Sequence, residues 1–388
     1  MKNFLNKIIS ILCALVLALS FTACGEPESQ SDSIPSGPII LNNITKAKNI
    51  VLMIGDGMGP NQIKAGEIFK GEKLTMQNFP YMTKVETRSA SDAITDSAAG
   101  GTAIATGVRT TNGVVGKNPA LEDLETIVDI ASSLGKSTGI LATEELYGAT
   151  PMDFSGHSNS RSNYDELLTT AANTGNVNLF ASYTLSPAYE SIFTDAGYTQ
   201  LYDVDDISDC SDEKVFGSFE IKGLAPSMSA DPVAVAFDRV VTEALEYLSK
   251  DEDGFFLMAE GSHIDHGGHN NDICYMLEEL IAFDDAINAV LKWAYGRDDT
   301  VVIIVADHET GGLNLAEDIT HDTLVETYQN GGYGDCYSWT TTGHTNTDIH
   351  CYINGANINF SNYSFGTKTR IRNVDVFKIM KYLFTGKK

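Results

Sequence analysis

The sequence predicts an α/β fold: a largely parallel central sheet with helices on both faces. Continuous apolar runs of strand length recur at residues 49–54, 137–143, 254–259 and 300–306. Runs without alternation belong to strands buried on both faces. Helical patterns over residues 121–134, 232–248 and 272–295 stand between them, and strands alternating with helices build parallel sheets. The third observation concerns placement. Asp56, Glu260 and Asp307 each follow one of these strands, and ligands of such sheets bind beyond the carboxyl ends of the strands. Surface acids have no reason to gather there.

At the N-terminus, Lys2 and Lys7 precede an apolar run over 8–19 and then Phe21-Thr22-Ala23-Cys24. Residues 1–23 therefore read as a secretory signal, too short and wrongly flanked for a lasting membrane span. The last four of these residues resemble a bacterial lipoprotein box, so the chain is expected to be exported and anchored to the cell membrane by a lipid on Cys24, on the extracellular or periplasmic face. Residues 24–43, polar and rich in Ser, Pro and Gly at their start, read as a flexible tether. Residues 44–388, with no internal repeat or second low-complexity break, read as a single catalytic domain. The excursion over 309–343, rich in Gly, Thr and Tyr, is expected to be long and irregular before a last strand at 350–353 and a closing helix at 374–383.

The formal charge of −26 becomes −28 when the signal takes away its two lysines. Such a body repels nucleic acid and anionic lipid. It also repels a phosphate ester, so an anion site here needs local positive charge from metals or arginine. Beyond Cys13 and Cys24 stand Cys210, Cys274, Cys336 and Cys351, with no CxxC or CxxxC pair, which argues against a cysteine zinc site. In an exported chain a disulfide such as Cys336 with Cys351 is compatible with the sequence, but the pairing is not set by it.

The chemistry centres on Thr95-Asp96-Ser97-Ala98-Ala99-Gly100-Gly101-Thr102. Alone, Ser97 would be read as a helix cap. Oxygen and nitrogen ligands elsewhere in the chain change that reading, because a metal ion activates a serine hydroxyl that is otherwise a weak nucleophile. The small residues after Ser97 let the chain approach closely, and the helix start favours phosphate oxygens. Asp265 and His269, four apart, share one face of a helical turn; with His344 they make a three-ligand zinc site. Asp307 and His308 diverge in an extended strand but converge where the backbone bends at a strand exit, and with Asp56 they make a second site beside Ser97. Glu260, Thr150 and a shared Asp56 oxygen remain for magnesium, which prefers oxygen ligands. Arg161 can clamp two phosphate oxygens. Asp96 either orients that arginine or simply favours the helix start. His157, His263, His321 and His350 read as structural or solvated, and Asp284-Asp285 as the outward face of a helix.

These motifs, in this order and near this spacing over about residues 47–360, resemble the alkaline phosphatase family. The resemblance implies an alkaline-phosphatase-like sheet and hydrolysis of small-molecule phosphate monoesters through a phosphoserine at Ser97. It implies two zinc ions, one on Asp265, His269 and His344 and one on Asp56, Asp307 and His308. It also implies phosphate held by Arg161 and oriented with Asp96, and one magnesium on Asp56, Thr150 and Glu260. Members are commonly dimers, so a homodimer is expected. One departure stands out: two residues before Thr150 the family carries aspartate or histidine, and here it is Gly148, which supplies no ligand. The third site is then weaker or filled differently, with His266 as one candidate. Two other functions compete. A relative acting on diesters, phosphonates or sulfates is one, although Ala99 stands where a sulfatase needs proline. A non-catalytic metal- or phosphate-binding lipoprotein is the other, and the intact set of ligands, serine and arginine speaks against it.

Overall fold

Seven consecutive buried residues, Asn49–Gly55, form β1 near the middle of a ten-stranded sheet. The computed structural model describes residues 34–222, 235–357 and 370–387; the expected signal and the lipid attachment point at Cys24 lie outside them. The remaining strands of this sheet are β2 (Tyr81–Glu86), β3 (Ser137–Glu145), β4 (Leu179–Tyr183), β5 (Thr199–Leu201), β6 (Val215–Phe219), β7 (Phe255–Gly261), β8 (Thr300–Val305), β9 (Ile349–Asn354) and β10 (Arg370–Arg372). Their order across the sheet is β10-β2-β9-β8-β1-β7-β3-β4-β6-β5. Among the described residues, β9 alone runs antiparallel to its neighbours. The sheet is thus largely parallel, with helices on both faces. β7 and β8 are buried throughout, as β1 is, because helices cover both sides of a parallel sheet.

Register decides where the chemistry goes. Ile54 of β1 pairs with Val305 of β8 and with Glu260 of β7, and Glu260 pairs with Ala142 of β3. Four strand ends are therefore level, and Asp56, Glu260 and Asp307 leave the sheet at one edge. The helix Ser97–Thr106 packs against Asn373–Thr385 and Ala149–Asp153, while Ile273–Ala294 packs against Phe237–Leu248 and Pro60–Lys70.

Several expectations need correction. The pattern over 121–134 yields a helix only at Ile127–Ser133, because Thr126 and Asp129 form a capping box there and Leu121 adopts a positive φ of 64°. The pattern over 232–248 yields Phe237–Leu248. The excursion over 309–343 is not irregular throughout. Thr320 caps a helix at His321–Gln329, and Leu313–Leu315 pairs with Tyr337–Trp339. The end of the expected tether belongs to the body: Ile39 and Leu41 are buried. The Asn354 side chain holds them, accepting from Leu41 N at 3.0 Å and donating to Ile39 O at 2.9 Å. Cys210, Cys274, Cys336 and Cys351 are free thiols.

Asp284 also departs from its reading as an outward charge. It is fully buried and accepts from Lys70 Nζ at 2.7 Å and from Thr75 N at 2.6 Å. Helical periodicity cannot tell a solvated acid from one that ties two helices together. Replacing Asp284 with alanine leaves a half-buried ammonium and a backbone amide unpaired. A loss of about 3 kcal/mol in stability is expected, read from urea unfolding; an unchanged midpoint would contradict the buried pairing.

Candidate functional site

Asp96 starts the helix Ser97–Thr106: its Oδ1 accepts from Ala99 N at 3.0 Å and its Oδ2 from Gly113 N at 2.9 Å. All ten helix residues are buried. Their smallness is required, since a Cβ on Gly101 would meet Asp153 Oδ2 at 2.2 Å and one on Gly100 would meet the Asp307 carbonyl at 3.1 Å. Close approach brings Ser97 Oγ to 3.2 Å from His308 Nε2.

Around that hydroxyl, side chains from separate strand ends converge. His308 Nε2 lies 3.1 Å from Asp307 Oδ2 and 3.6 Å from Asp56 Oδ1. The bend at the end of β8 thus turns two adjacent side chains onto one point. Gly57, in the turn after β1 that carries Asp56, lets that turn lie against the neighbouring helix: its φ is 72°, and a Cβ there would lie 2.6 Å from the Asp265 backbone. Next to this cluster, the helix His263–His269 presents Asp265 and His269 on one face, with Asp265 Oδ2 3.1 Å from His269 Nε2. His344 Nε2 is 3.1 Å from His269 Nε2 and 3.6 Å from Asp265 Oδ1. These separations match the ~3.3 Å edges of a tetrahedron of ligands about 2.0 Å from zinc.

The tautomers follow from the acceptors. His269 Nδ1 lies 2.6 Å from Thr342 O, and His344 Nδ1 lies 2.9 Å from Thr95 O. A carbonyl only accepts, so both Nδ1 atoms carry hydrogen, and in the neutral rings both Nε2 lone pairs face the same small space. His308 behaves alike. Thr310 Oγ1 donates to Asp265 Oδ1, so it accepts from His308 Nδ1 at 3.2 Å and leaves the Nε2 lone pair toward Ser97. Converging imidazole nitrogens and carboxylates form a donor set that suits a bound cation.

A third group is made of oxygen alone. Both carboxylate oxygens of Glu260, Thr150 Oγ1 and Asp56 Oδ1 are buried without a hydrogen-bond partner among the described residues. Buried unpaired carboxylates are costly, and this donor set suits a hard cation.

Electrostatics agree with that need. Burial, then Asp307, Asp265 and Glu260, push Asp56 well above the usual carboxylate range. Burial and then Glu144 do the same to Glu260. Burial and Asp265 raise Asp307 to about 6. Burial also raises Asp265, but hydrogen bonding to His269 and the nearby imidazoles outweigh it and hold this carboxyl below its ordinary value. His308 is kept neutral by burial and by His344, as a metal ligand must be. His269 is raised to about 9 by its hydrogen bond to Asp265. Arg161, with a side chain 39% exposed, reaches Asp96 Oδ2 with Nη1 at 3.5 Å. Asp96 thus caps the helix and also pairs with the arginine.

All the site residues expected from the sequence lie in this one region. Sequence reasoning passed over several others. Thr310 orients Asp265 and His308 at once. Glu309 accepts from Gln62 Nε2 at 2.8 Å, from Gly312 N at 2.9 Å and from Thr345 Oγ1. It thereby fixes the ribbon in which Thr310 pairs with His344. Asp153 accepts from Thr102 Oγ1 at 2.7 Å beneath the serine helix, and Glu144, at the end of β3, is pushed up to about 7 chiefly by burial. The signals available were the polar run Glu309-Thr310 after His308 and the acid pair Glu144-Glu145 ending a strand. The four histidines set aside bond elsewhere, His157 to Leu124 O and His321 to Ile68 O, for example.

Comparison with known proteins agrees with this geometry. The alkaline phosphatase family model matches residues 47–193 and 188–333. Alkaline phosphatase 3 of Bacillus subtilis is 32% identical over 348 residues, covering 84% of this chain and 74% of that protein. The cold-active alkaline phosphatase of a psychrophilic Shewanella superposes with a TM-score of 0.75 at 25% identity, covering 86% of this chain and 99% of that one. The alkaline phosphatase of the Antarctic bacterium TAB5, in a variant with one histidine replaced by glutamate and magnesium bound in its M3 site, superposes with a TM-score of 0.71 at 27% identity, covering 88% and 99%. The sheet order, the serine at its helix start and the converging acids and imidazoles thus have one common explanation: the chain belongs to the alkaline phosphatase family, enzymes that hydrolyse phosphate monoesters.

Proposed function

We propose that hydrolysis of phosphate monoesters proceeds in this chain through a phosphoserine at Ser97. The observation that carries the assignment is Ser97 Oγ at 3.2 Å from His308 Nε2, at the buried start of a helix beside two converging groups, Asp265, His269 and His344 in one and Asp56, Asp265 and His308 in the other, with Asp307 Oδ2 3.1 Å from His308 Nε2. Asp265, His269 and His344 would hold one zinc ion, Asp56, Asp307 and His308 a second, and Asp56, Thr150 and Glu260 a magnesium ion. When bound, these ions supply Lewis acidity that lowers the pKa of the serine hydroxyl and offsets charge on the leaving oxygen.

The chain's own groups do the rest. Arg161 receives two non-bridging phosphate oxygens, its guanidinium turned toward them by Asp96. The first amides of the serine helix face the same oxygens. Ser97 Oγ attacks phosphorus, the bond to the ester oxygen breaks, and the alcohol leaves carrying a proton in place of the one Ser97 gave up. Water then attacks the phosphoserine, releasing inorganic phosphate and restoring the hydroxyl. Selectivity comes from the phosphate, since the Arg161 end of the site is partly exposed; small phosphate monoesters of varied alcohols are the expected substrates.

Export and a lipid on Cys24 remain proposals resting on residues 1–24, as does a homodimer resting on family habit. Among the described residues no helix is long and apolar enough to cross a membrane.

Two outcomes are expected. Ser97→Ala should lower turnover of p-nitrophenyl phosphate by on the order of 10³-fold or more, and brief acid quenching of the parent chain should trap phosphate on Ser97; a variant keeping most of its rate would remove the nucleophile assignment. Arg161→Ala should reduce kcat/KM by roughly 10- to 100-fold through loss of a charge-assisted contact, and an unchanged value would exclude its role in holding phosphate.

Stability of the metal-stripped chain should depend on pH in a specific direction. Glu144 rises to about 7 and Asp307 to about 6 in the fold, both above their ordinary values. Groups raised in this way contribute stability that is fully present below their unfolded pKa and lost as pH rises through the folded one. Scanning calorimetry should therefore show Tm falling between about pH 4 and 7 without metal. Zinc and magnesium should flatten this fall. A stripped chain whose Tm rises over that window would contradict the carboxylate crowding.

A further inference from the structure

We propose that Glu144 supplies an oxygen ligand to the third cation site, from the space a side chain at position 148 would otherwise fill. The inference rests on the reading that Thr150 and Glu260 hold a cation, and it adds to that site a residue on a different element. Three observations carry it.

The first is steric. A Cβ on Gly148 would lie 1.9 Å from Glu144 Oε1 and 2.6 Å from the carboxyl carbon. The Glu144 carboxylate thus occupies the volume of the side chain that glycine lacks, two residues before Thr150. The second is backbone position. Ala142 pairs with Glu260 across β3 and β7, and Glu144 stands two residues further along β3, about 6.6 Å on. The β3 end is tied to the end of β7 by Ser262 N, which donates to Thr143 Oγ1 at 2.9 Å.

The third is what remains unpaired. Both Glu260 carboxylate oxygens and Thr150 Oγ1 are fully enclosed; the hydroxyls of Thr150 and Ser262 lie near the Glu260 carboxylate, but none of these oxygens makes a well-formed hydrogen bond to a described residue. Glu144 itself makes no hydrogen bond to a described residue; its ion-pair neighbour, His266 Nε2, lies 3.8 Å away, beyond hydrogen-bonding distance. Two carboxylates and a hydroxyl, with an Asp56 oxygen alongside, form a set of hard donors that suits magnesium with water completing the octahedron. A glutamate in this rotamer and a longer side chain at position 148 compete for one volume. With glycine at 148, the strand supplies the ligand.

The test measures magnesium in zinc-loaded protein, by titration calorimetry and by metal content after desalting. The parent chain should retain one magnesium per chain. Glu144→Gln, close in shape, and Glu144→Ala should each weaken magnesium at least tenfold while zinc content and the circular dichroism spectrum stay unchanged. Adding Gly148→Asp to Glu144→Ala should restore magnesium, whereas His266→Ala should leave it in place. Magnesium affinity unchanged in both Glu144 variants, or a parent chain that takes zinc but no magnesium, would overturn the proposal. A parent chain that takes neither zinc nor phosphate on Ser97 would overturn the underlying site reading with it.

Discussion

The structure depends on an excess of buried negative charge held at one edge of a sheet. Asp56, Glu260, Asp265 and Asp307 are all nearly or wholly enclosed, and Arg161, at the rim, is a permanent cation whose field reaches Asp56 together with Asp96, Glu144 and Asp153. Carboxylates so placed repel one another and have lost their water. Protons relieve that repulsion at low pH; metal ions relieve it at the pH where a phosphatase works, and in doing so become the catalytic tool. The feature that makes the empty cage costly is the one that makes the filled cage reactive.

The sheet makes this crowding tolerable. Level strand ends fix the acids by main-chain register, and side chains fix the imidazoles: Thr342 and Thr95 carbonyls set two tautomers, Thr310 sets the third, and Glu309 clamps the ribbon that carries His344. Each of the three imidazoles is held by a group outside the proposed ligand set, which keeps its donor atom aimed before any ion arrives. The serine is fixed by the same economy of space. Gly100 and Gly101 let its helix lie against Asp307 and Asp153, so Oγ comes to 3.2 Å from His308 Nε2.

What could be read from the sequence was what sequence pattern encodes directly. Unbroken apolar runs located the central strands, and strand exits located Asp56, Glu260 and Asp307. Four-residue spacing put Asp265 and His269 on one helical face. What escaped depended on contacts between distant segments. Asp284 looks like any charge on a helix until Lys70 and Thr75 close over it. Ile39 and Leu41 sit in a polar stretch and join the core only because Asn354, over three hundred residues away, receives their backbone. The helix at His321–Gln329 lies in a Gly- and Thr-rich region where capping, and not hydrophobic period, sets the start. Glu144 was hidden for a more local reason: it stands four residues before Gly148, and only the turn between β3 and the helix Ala149–Asp153 folds its carboxyl back against that glycine.

The central claim is that paired cations balance the cage around Ser97. Zinc content of the purified chain, stripped with chelator and reloaded, measured by plasma mass spectrometry beside phosphate release, tests it most directly. The account expects about two zinc ions per chain, with activity lost on stripping and regained in step with the second ion. Full phosphatase activity in a chain carrying no divalent metal would contradict it.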